Sequence, residues 1–125
     1  MPSIQEALNL GDLLKYEAPN LYSRDLATVA SGQNLVLGTV VGRAPVTGKL
    51  SPIDPDALDS SAEAVGVLAF SIDATAADRD DALLIARHAI VASHALAWPA
   101  GITPTQKATA IAQLTARGVL VRTSA

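Results

Sequence analysis

The side chains best suited to chemistry are two histidines and a serine near position 90. His88 and His94 are the only histidines of the 125 residues, and Ser93 directly precedes His94. We predict a strand through this stretch, on which a six-residue separation places the two rings about 20 Å apart, too far to share a metal ion. Ser93 and His94 would point to opposite faces of that strand, so they could not pair as nucleophile and base. This stretch therefore predicts no catalytic residue.

Acidic residues and glycines form the other patterns that could bind a ligand. Asp73, Asp78, Asp80 and Asp81 do not have the spacing of a calcium loop, and no Glu closes the set. We interpret them as a solvated turn. The glycines at 32, 38, 42 and 48 are not followed by Gly-Lys-Ser/Thr and are typical of turns and bulges. The chain has no Cys, which excludes thiolate chemistry. We expect no catalytic site, no metal and no cofactor.

Composition narrows the classes of protein further. The net charge is -3 and the nine Lys and Arg residues are spread along the chain, so the basic stretch typical of nucleic-acid binding is missing. Half of the residues are hydrophobic, but only one Phe, one Trp and two Tyr are present. Such a composition predicts a thin core, which oligomerisation helps to stabilise. Without an apolar run of about 18 residues or a signal sequence, we expect a soluble protein made in the cytoplasm.

The elements that position these residues start with an N-terminal segment, residues 1–22. Gly11 and Pro19 argue against a long helix. Leu13, Leu14 and Tyr16 favour a short strand instead. Such a segment is either an ordinary chain terminus or an arm that becomes ordered on a partner.

The middle of the chain predicts a mainly β body. Short β-branched runs alternate with Gly-containing turns from residue 25 to residue 53, a pattern typical of a small barrel or sheet. Residues 52–61 contain two prolines and predict a surface loop. The apolar runs at 65–70 and 83–91 predict buried strands, the second of them buried on both faces for part of its length. The acidic segment 73–81 predicts the loop between them.

The clearest local prediction is a helix near the C-terminus. Thr103 suits the N-cap, Pro104 the first helical position, and Gln106 completes a capping box. The apolar side chains at helical spacing are Ala108, Ile111, Ala112 and Leu114. Gly118 suits the left-handed residue that ends a helix, and residues 119–122 predict a final short strand.

The only Trp lies directly before Pro99, which biases Trp98 toward an extended backbone. Two interpretations of Trp98 and Pro99 are open. They anchor the domain from within, or they form the centre of a subunit or partner interface, where a Trp contributes most.

Taken in order, these features resemble the lambda-type head-decoration proteins of bacteriophages, the lambda D-protein family. The matching segments are EAL at 6–8, GDLL at 11–14, SRD at 23–25, GTVVG at 38–42, AVGVL at 64–68, DAT at 73–75, RHAIV at 87–91, LAWP at 96–99 and the end of the chain at 114–122. No single segment is specific to this family. The whole set is specific, because the segments occur in the family's order in a chain of the family's length.

The resemblance implies a mainly β fold, a β-tulip-like small barrel or sheet, with one C-terminal α-helix. It implies a homotrimer at three-fold and quasi-three-fold positions on the outside of the expanded phage head, bound to the major capsid protein and stabilising the shell against DNA pressure. Residues 1–22 would be the capsid-binding arm and residues 23–125 the decoration domain. The candidate arm contacts are Leu13, Leu14, Tyr16, Leu21, Tyr22, Ser23 and Arg24. We expect deletion of residues 1–22 to abolish capsid binding and leave a soluble trimer.

A small β-barrel carrier or binding module, lipoyl- or biotinyl-like or of β-clip type, is the alternative. The spacing of the glycines from residue 32 to residue 42 is compatible with such a module. Lys49, beside Gly48, is the candidate for a modified lysine at a hairpin tip. The C-terminal helix is foreign to such carriers.

Overall fold

The computed structural model describes residues 10–19 and 23–123. The strands are β1 (Leu14–Glu17), β2 (Arg24–Val29), β3 (Gln33–Leu35), β4 (Val40–Arg43), β5 (Leu50–Pro52), β6 (Gly66–Leu68), β7 (Ile72–Ala74), β8 (Arg79–Ile85), β9 (Ala89–Ala92) and β10 (Val119–Arg122). The helices are α1 (Leu10–Leu13) and α2 (Pro104–Ala116), with 3-10 turns at Ser60–Ala62 and Ser93–Ala95. The mainly β fold with a C-terminal helix is confirmed.

Five strands close into a barrel in the order β2-β5-β4-β6-β8. The longest ladder joins β2 to β8, antiparallel, from Arg24 opposite Ile85 to Val29 opposite Arg79. β2 and β5 are parallel where Val29 lies opposite Leu50, and the other barrel pairs are antiparallel. β3 and β7 form a separate two-stranded sheet. Each barrel strand has a partner on both sides, but the pairing of β2 with β5 is limited to Val29 opposite Leu50, and that of β6 with β8 to two residue pairs.

Neighbouring residues of the barrel strands enter two different hydrophobic cores. On β4, Val41 faces the barrel interior while Val40 faces the opposite way, and on β8 Leu84 and Ile85 are divided in the same manner. Side chains alternate along a strand, so these strands are buried on both faces. This confirms the two-sided burial that the second apolar run predicts.

The second core lies between the barrel and a layer formed by α1, β1, β9, α2 and β10, termed the outer layer. Its sheet has the order β1-β9-β10. β9 and β10 are parallel, and the chain passes between them through α2, since parallel neighbours need a crossover. Leu13, Val91, Leu114 and Val119 are fully buried in this outer core.

Helix α2 has the capping box that its sequence predicts, and Gly118 follows it in the left-handed conformation, with φ 85°. The predicted apolar stripe is wrong in part. Ala108 and Ala112 are exposed, and the fully buried positions are Ala110 and Leu114, four residues apart. Alanine favours helix formation by itself, so an alanine is a weak indicator of the buried face.

Two strand boundaries between residues 72 and 92 differ from the prediction. The acidic segment is not all loop, because β7 extends to Ala74 and β8 begins at Arg79. The predicted strand 83–91 is two strands, since the chain turns at His88, which has φ 49°. β8 belongs to the barrel and β9 to the outer layer, so a continuous strand could not serve both.

Gly38 joins the barrel to the outer layer. It has φ 89°, and a Cβ built on it would lie 2.1 Å from the backbone oxygen of Ala95. The backbone N–H of Ala97 donates to the Gly38 oxygen at 2.9 Å. Both the left-handed backbone and the close approach require glycine.

Candidate interaction surfaces

The described part of the N-terminal segment, residues 10–19, contributes α1 and β1 to the outer layer. Leu13 is fully buried in the outer core, and Leu14 is half-buried against it. β1 pairs antiparallel with β9, which confirms the predicted short strand for Leu14 and Tyr16, whereas Leu13 is the last residue of α1. Tyr16 is 57% exposed. Of these candidate arm contacts, Leu13 therefore supports the fold, while Tyr16 presents its side chain to solvent.

Two other candidate arm contacts tie β1 to β2. The Ser23 hydroxyl donates to Glu17 Oε2 at 2.5 Å, and the Arg24 guanidinium donates to both carboxylate oxygens at 2.9 and 2.5 Å. Ser23 is fully buried. The Arg24 hydrogen bonds, with a smaller contribution from Ser23, lower the pKa of Glu17 below its ordinary value although burial opposes them. Leu21 and Tyr22 lie outside the described residues.

Trp98 and Pro99 are both half-buried. Trp98 packs against the outer core, and both residues line a shallow groove of about 160 Å³ beside Val36, a side chain that is 56% exposed. The Thr39–Ala97 bridge holds this segment to the barrel. The packing gives Trp98 a role inside the domain, and its part in an interface stays a prediction.

His88, Ser93 and His94 do not share a strand, so that part of the prediction is wrong. His88 is exposed in the turn between β8 and β9, and Ser93 and His94 belong to the 3-10 turn Ser93–Ala95. The apolar run misled the prediction because a chain buried on both faces gives no periodic sign of where a strand ends.

The acidic carboxylates bond to nearby donors. Asp78 accepts from the Ser31 N–H at 2.7 Å and pairs with Lys49 Nζ at 2.5 Å, contacts that lower its pKa, with the Lys49 hydrogen bond contributing most. Asp81 is held by two hydrogen bonds from Arg79. Within residues 10–19 and 23–123, no group of three or more His, Asp or Glu could hold a metal ion. Lys49 takes part in an ion pair, which does not favour the carrier interpretation.

Sequence reasoning missed one exposed apolar side chain on the barrel. Leu26 is 73% exposed and lies opposite Leu83 in the β2–β8 ladder. Its neighbour Ala27, and Val29 two residues after Ala27, pack in the barrel interior. The two-residue alternation of β2 would have placed Leu26 outside. The large apolar side chains exposed in the described parts of the chain are Tyr16, Leu26, Val36, Val46, Leu58 and Phe70.

The fold is that of a small β-barrel protein with two hydrophobic cores and several large apolar side chains exposed among the described residues. No helix among the described residues has the length and apolar character to cross a membrane. A family model described as bacteriophage lambda head decoration protein D matches residues 3–119. Since the match covers nearly the whole chain, the chain belongs to that family, and the resemblance is confirmed. No curated protein sequence matches the chain.

This family consists of structural proteins of the phage capsid and is not an enzyme class. Membership gives the chain a capsid decoration role and a place in the virion.

Proposed function

We propose that the protein decorates the outside of the expanded phage head as a homotrimer at three-fold and quasi-three-fold positions. There it binds the major capsid protein and stabilises the shell against internal DNA pressure. The observation that carries this proposal is the extent of the family match, which starts at residue 3 and so includes the N-terminal segment as well as the barrel. Synthesis in the bacterial cytoplasm precedes assembly on the head.

The N-terminal segment is the proposed attachment device. β1 is an edge strand of the outer sheet, and an edge accepts or extends into a neighbouring sheet through main-chain hydrogen bonds. Among the predicted arm contacts that the structure describes, Tyr16 is the most exposed. Three arms in one trimer make later contacts intramolecular, which raises avidity by roughly 10²–10⁴.

Two residues of the N-terminal segment, Leu13 and Glu17, are part of the folded domain, and this limits how much of the segment can be deleted in a test of attachment. Deletion of residues 1–22 would remove Leu13 from the outer core and Glu17 from its bonds to Ser23 and Arg24, so loss of binding would be mixed with loss of folding. Deletion of residues 2–9 spares both. We expect this shorter deletion to remain folded and to lose most of its occupancy on expanded heads, measured by co-sedimentation and gel densitometry.

The matched control is Val46→Ser, which changes a side chain that is 94% exposed in the turn between β4 and β5 and should bind heads like the wild type. Full occupancy by the shortened protein would refute the attachment role of residues 2–9.

Membership of the decoration family supports the trimer, and Leu26, which is 73% exposed on β2, is a candidate contact between subunits. Light scattering of the intact protein at micromolar concentration should give three times the chain mass of 12.8 kDa. A monomer under those conditions would contradict the homotrimer.

A further inference from the structure

At one end of the barrel, a cavity of about 270 Å³ opens beside the turn that follows β8. This cavity is termed the barrel mouth. Its apolar lining consists of Val65, Leu84 and Ala86, which are buried and belong to the barrel interior core. Drug-sized ligand sites measure about 300–1,000 Å³, so the barrel mouth fits a side chain or two from a partner rather than a large free ligand.

Three guanidinium groups from distant parts of the chain line the same cavity. Arg43 ends β4, Arg87 follows β8, and Arg117 follows α2. They are three of the nine Lys and Arg residues in a chain of net charge -3. Arg87 lies 44 positions after Arg43 and 30 positions before Arg117. Only the fold therefore brings the three side chains together.

The three arginines differ in how they are held. Arg87 donates two hydrogen bonds to the Asp25 carboxylate, at 3.0 and 2.5 Å. Arg117 reaches Glu63 at 3.4 Å with one nitrogen. Arg43 donates Nη1 to the backbone oxygen of Gly48 at 3.0 Å. A guanidinium carries five N–H donors, so the Arg43 bond orients the group and leaves other donors for a ligand.

The turn that carries Arg87 into the barrel mouth is conformationally unusual. His88, which also lines the cavity, has φ 49° and is the one non-glycine residue with positive φ in the described parts of the chain. His is one of the residue types that adopt this left-handed conformation most readily. The resulting tight turn between β8 and β9 places Arg87 and His88 at the cavity.

We propose that the barrel mouth binds the carboxylate of an acidic peptide segment of a partner protein. The guanidinium forks match a carboxylate in geometry and charge. The apolar lining matches the methylene groups of a Glu side chain. Inorganic phosphate could also accept hydrogen bonds from the guanidinium groups, but it has no methylene groups to contact the apolar lining. It also carries more negative charge than a carboxylate, and this charge would lie near Asp25, which lines the cavity.

The test is a titration of the isolated ¹⁵N-labelled protein followed by NMR, so its outcome does not depend on binding to heads. The probes are acetyl-Glu-Glu-amide, acetyl-Gln-Gln-amide and inorganic phosphate. We expect the diacid to shift the amide signals of Arg43, Ala86 and His88 in a saturable manner. The Gln peptide should produce no such shifts, and phosphate should bind more weakly than the diacid. Arg43→Gln should weaken diacid binding roughly tenfold, the effect of losing one charged hydrogen-bonding group.

Two variants separate binding from folding. Arg117→Gln changes a side chain that is 41% exposed and should also weaken the diacid, whereas Lys107→Gln, on the exposed side of α2, should not. Equal diacid binding by wild type and both Arg variants would overturn the proposal, as would shifts without saturation. Tighter binding of phosphate would reassign the site to phosphate. A change in oligomeric state of Arg43→Gln, with no peptide binding by the wild type, would assign the barrel mouth to a contact between subunits and overturn the proposal equally.

Discussion

The barrel and the outer layer are stabilised in different ways. The barrel is closed by hydrogen-bonded ladders and filled largely by Val, Leu and Ala of its own strands. The outer layer gathers α1, β1, β9, α2 and β10 from both ends of the chain, and Leu13 shares a core with Leu114. Its integrity therefore depends on long-range packing, and among the described residues no strand pairs with the outer side of β1 or β10. The region that we propose for attachment is thus also the one that we expect to loosen first.

The strongest test of this division is at the junction. Gly38→Ala should cost about 3 kcal/mol or more, since it adds left-handed strain to a Cβ that would lie 2.1 Å from the Ala95 oxygen and cannot be relieved by a rotamer change. Chemical denaturation measures the loss. Gly32→Ala is the matched control, with φ 88° but no atom within 4 Å of the added Cβ, and should cost only about 1–2 kcal/mol. Equal losses would mean that the close approach at Gly38 is unimportant.

A second test removes the N-terminal contribution to the outer core. Leu13→Ala should destabilise the protein by about 2–5 kcal/mol, because Leu13 is fully buried and truncation leaves a cavity. Leu58→Ala, at a fully exposed position in the loop after β5, is the control and should change stability by less than about 0.5 kcal/mol.

Hydrogen exchange of Leu13→Ala sharpens the comparison. The amides of β9 and β10 should lose protection before those of β2 and β8, because local openings follow cooperative units. Simultaneous loss in both regions would show that the barrel and the outer layer unfold as one unit.

The smallest of the three effects is expected at the bond between β1 and β2. Glu17→Gln should cost about 1–2 kcal/mol at pH 7, since it weakens charged hydrogen bonds in a partly buried site. The pKa of Glu17 is lowered from its ordinary value of 4.5, chiefly by Arg24. The stabilisation is therefore fully present above that value and is lost as the pH falls through the lower folded pKa. Denaturation of both proteins from pH 7 to pH 3 should show the difference shrinking below 4.5.

Asp81→Asn is the control for this prediction, because it changes an ion pair whose side chains are 46% and 58% exposed and should have little effect. A Glu17→Gln difference that is constant with pH would contradict the role of the carboxylate charge.

Prediction from the sequence worked where the signal is local. The capping box and Gly118 are short-range patterns with a single structural meaning, and α2 begins and ends where they place it. The apolar runs located buried strands but not their ends, since the run 65–70 contains β6 (Gly66–Leu68) and the exposed Phe70, and the run 83–91 is divided between β8 and β9. The family resemblance depended on the order of many short segments, and the match over residues 3–119 confirms it.

Prediction was wrong or silent where distant segments decide the outcome. The break at His88 separates two strands that belong to different layers, and a sequence window holds no information on which layer a strand will join. For Leu13, the local pattern gave no sign that the side chain is buried against residues about 100 positions away, such as Leu114.

The sequence by itself determined the mainly β class, the C-terminal helix and the family, because local propensity, capping and the order of motifs are properties of the chain alone. Tertiary structure alone decided that Leu13 and Glu17 fasten the N-terminal segment and that Arg43, Arg87 and Arg117 meet at the barrel mouth. Pairing of the barrel strands brings Arg43 and Arg87 to one end of the barrel, and the packing of α2 adds Arg117. The physical reason is that both kinds of contact join segments far apart in the sequence.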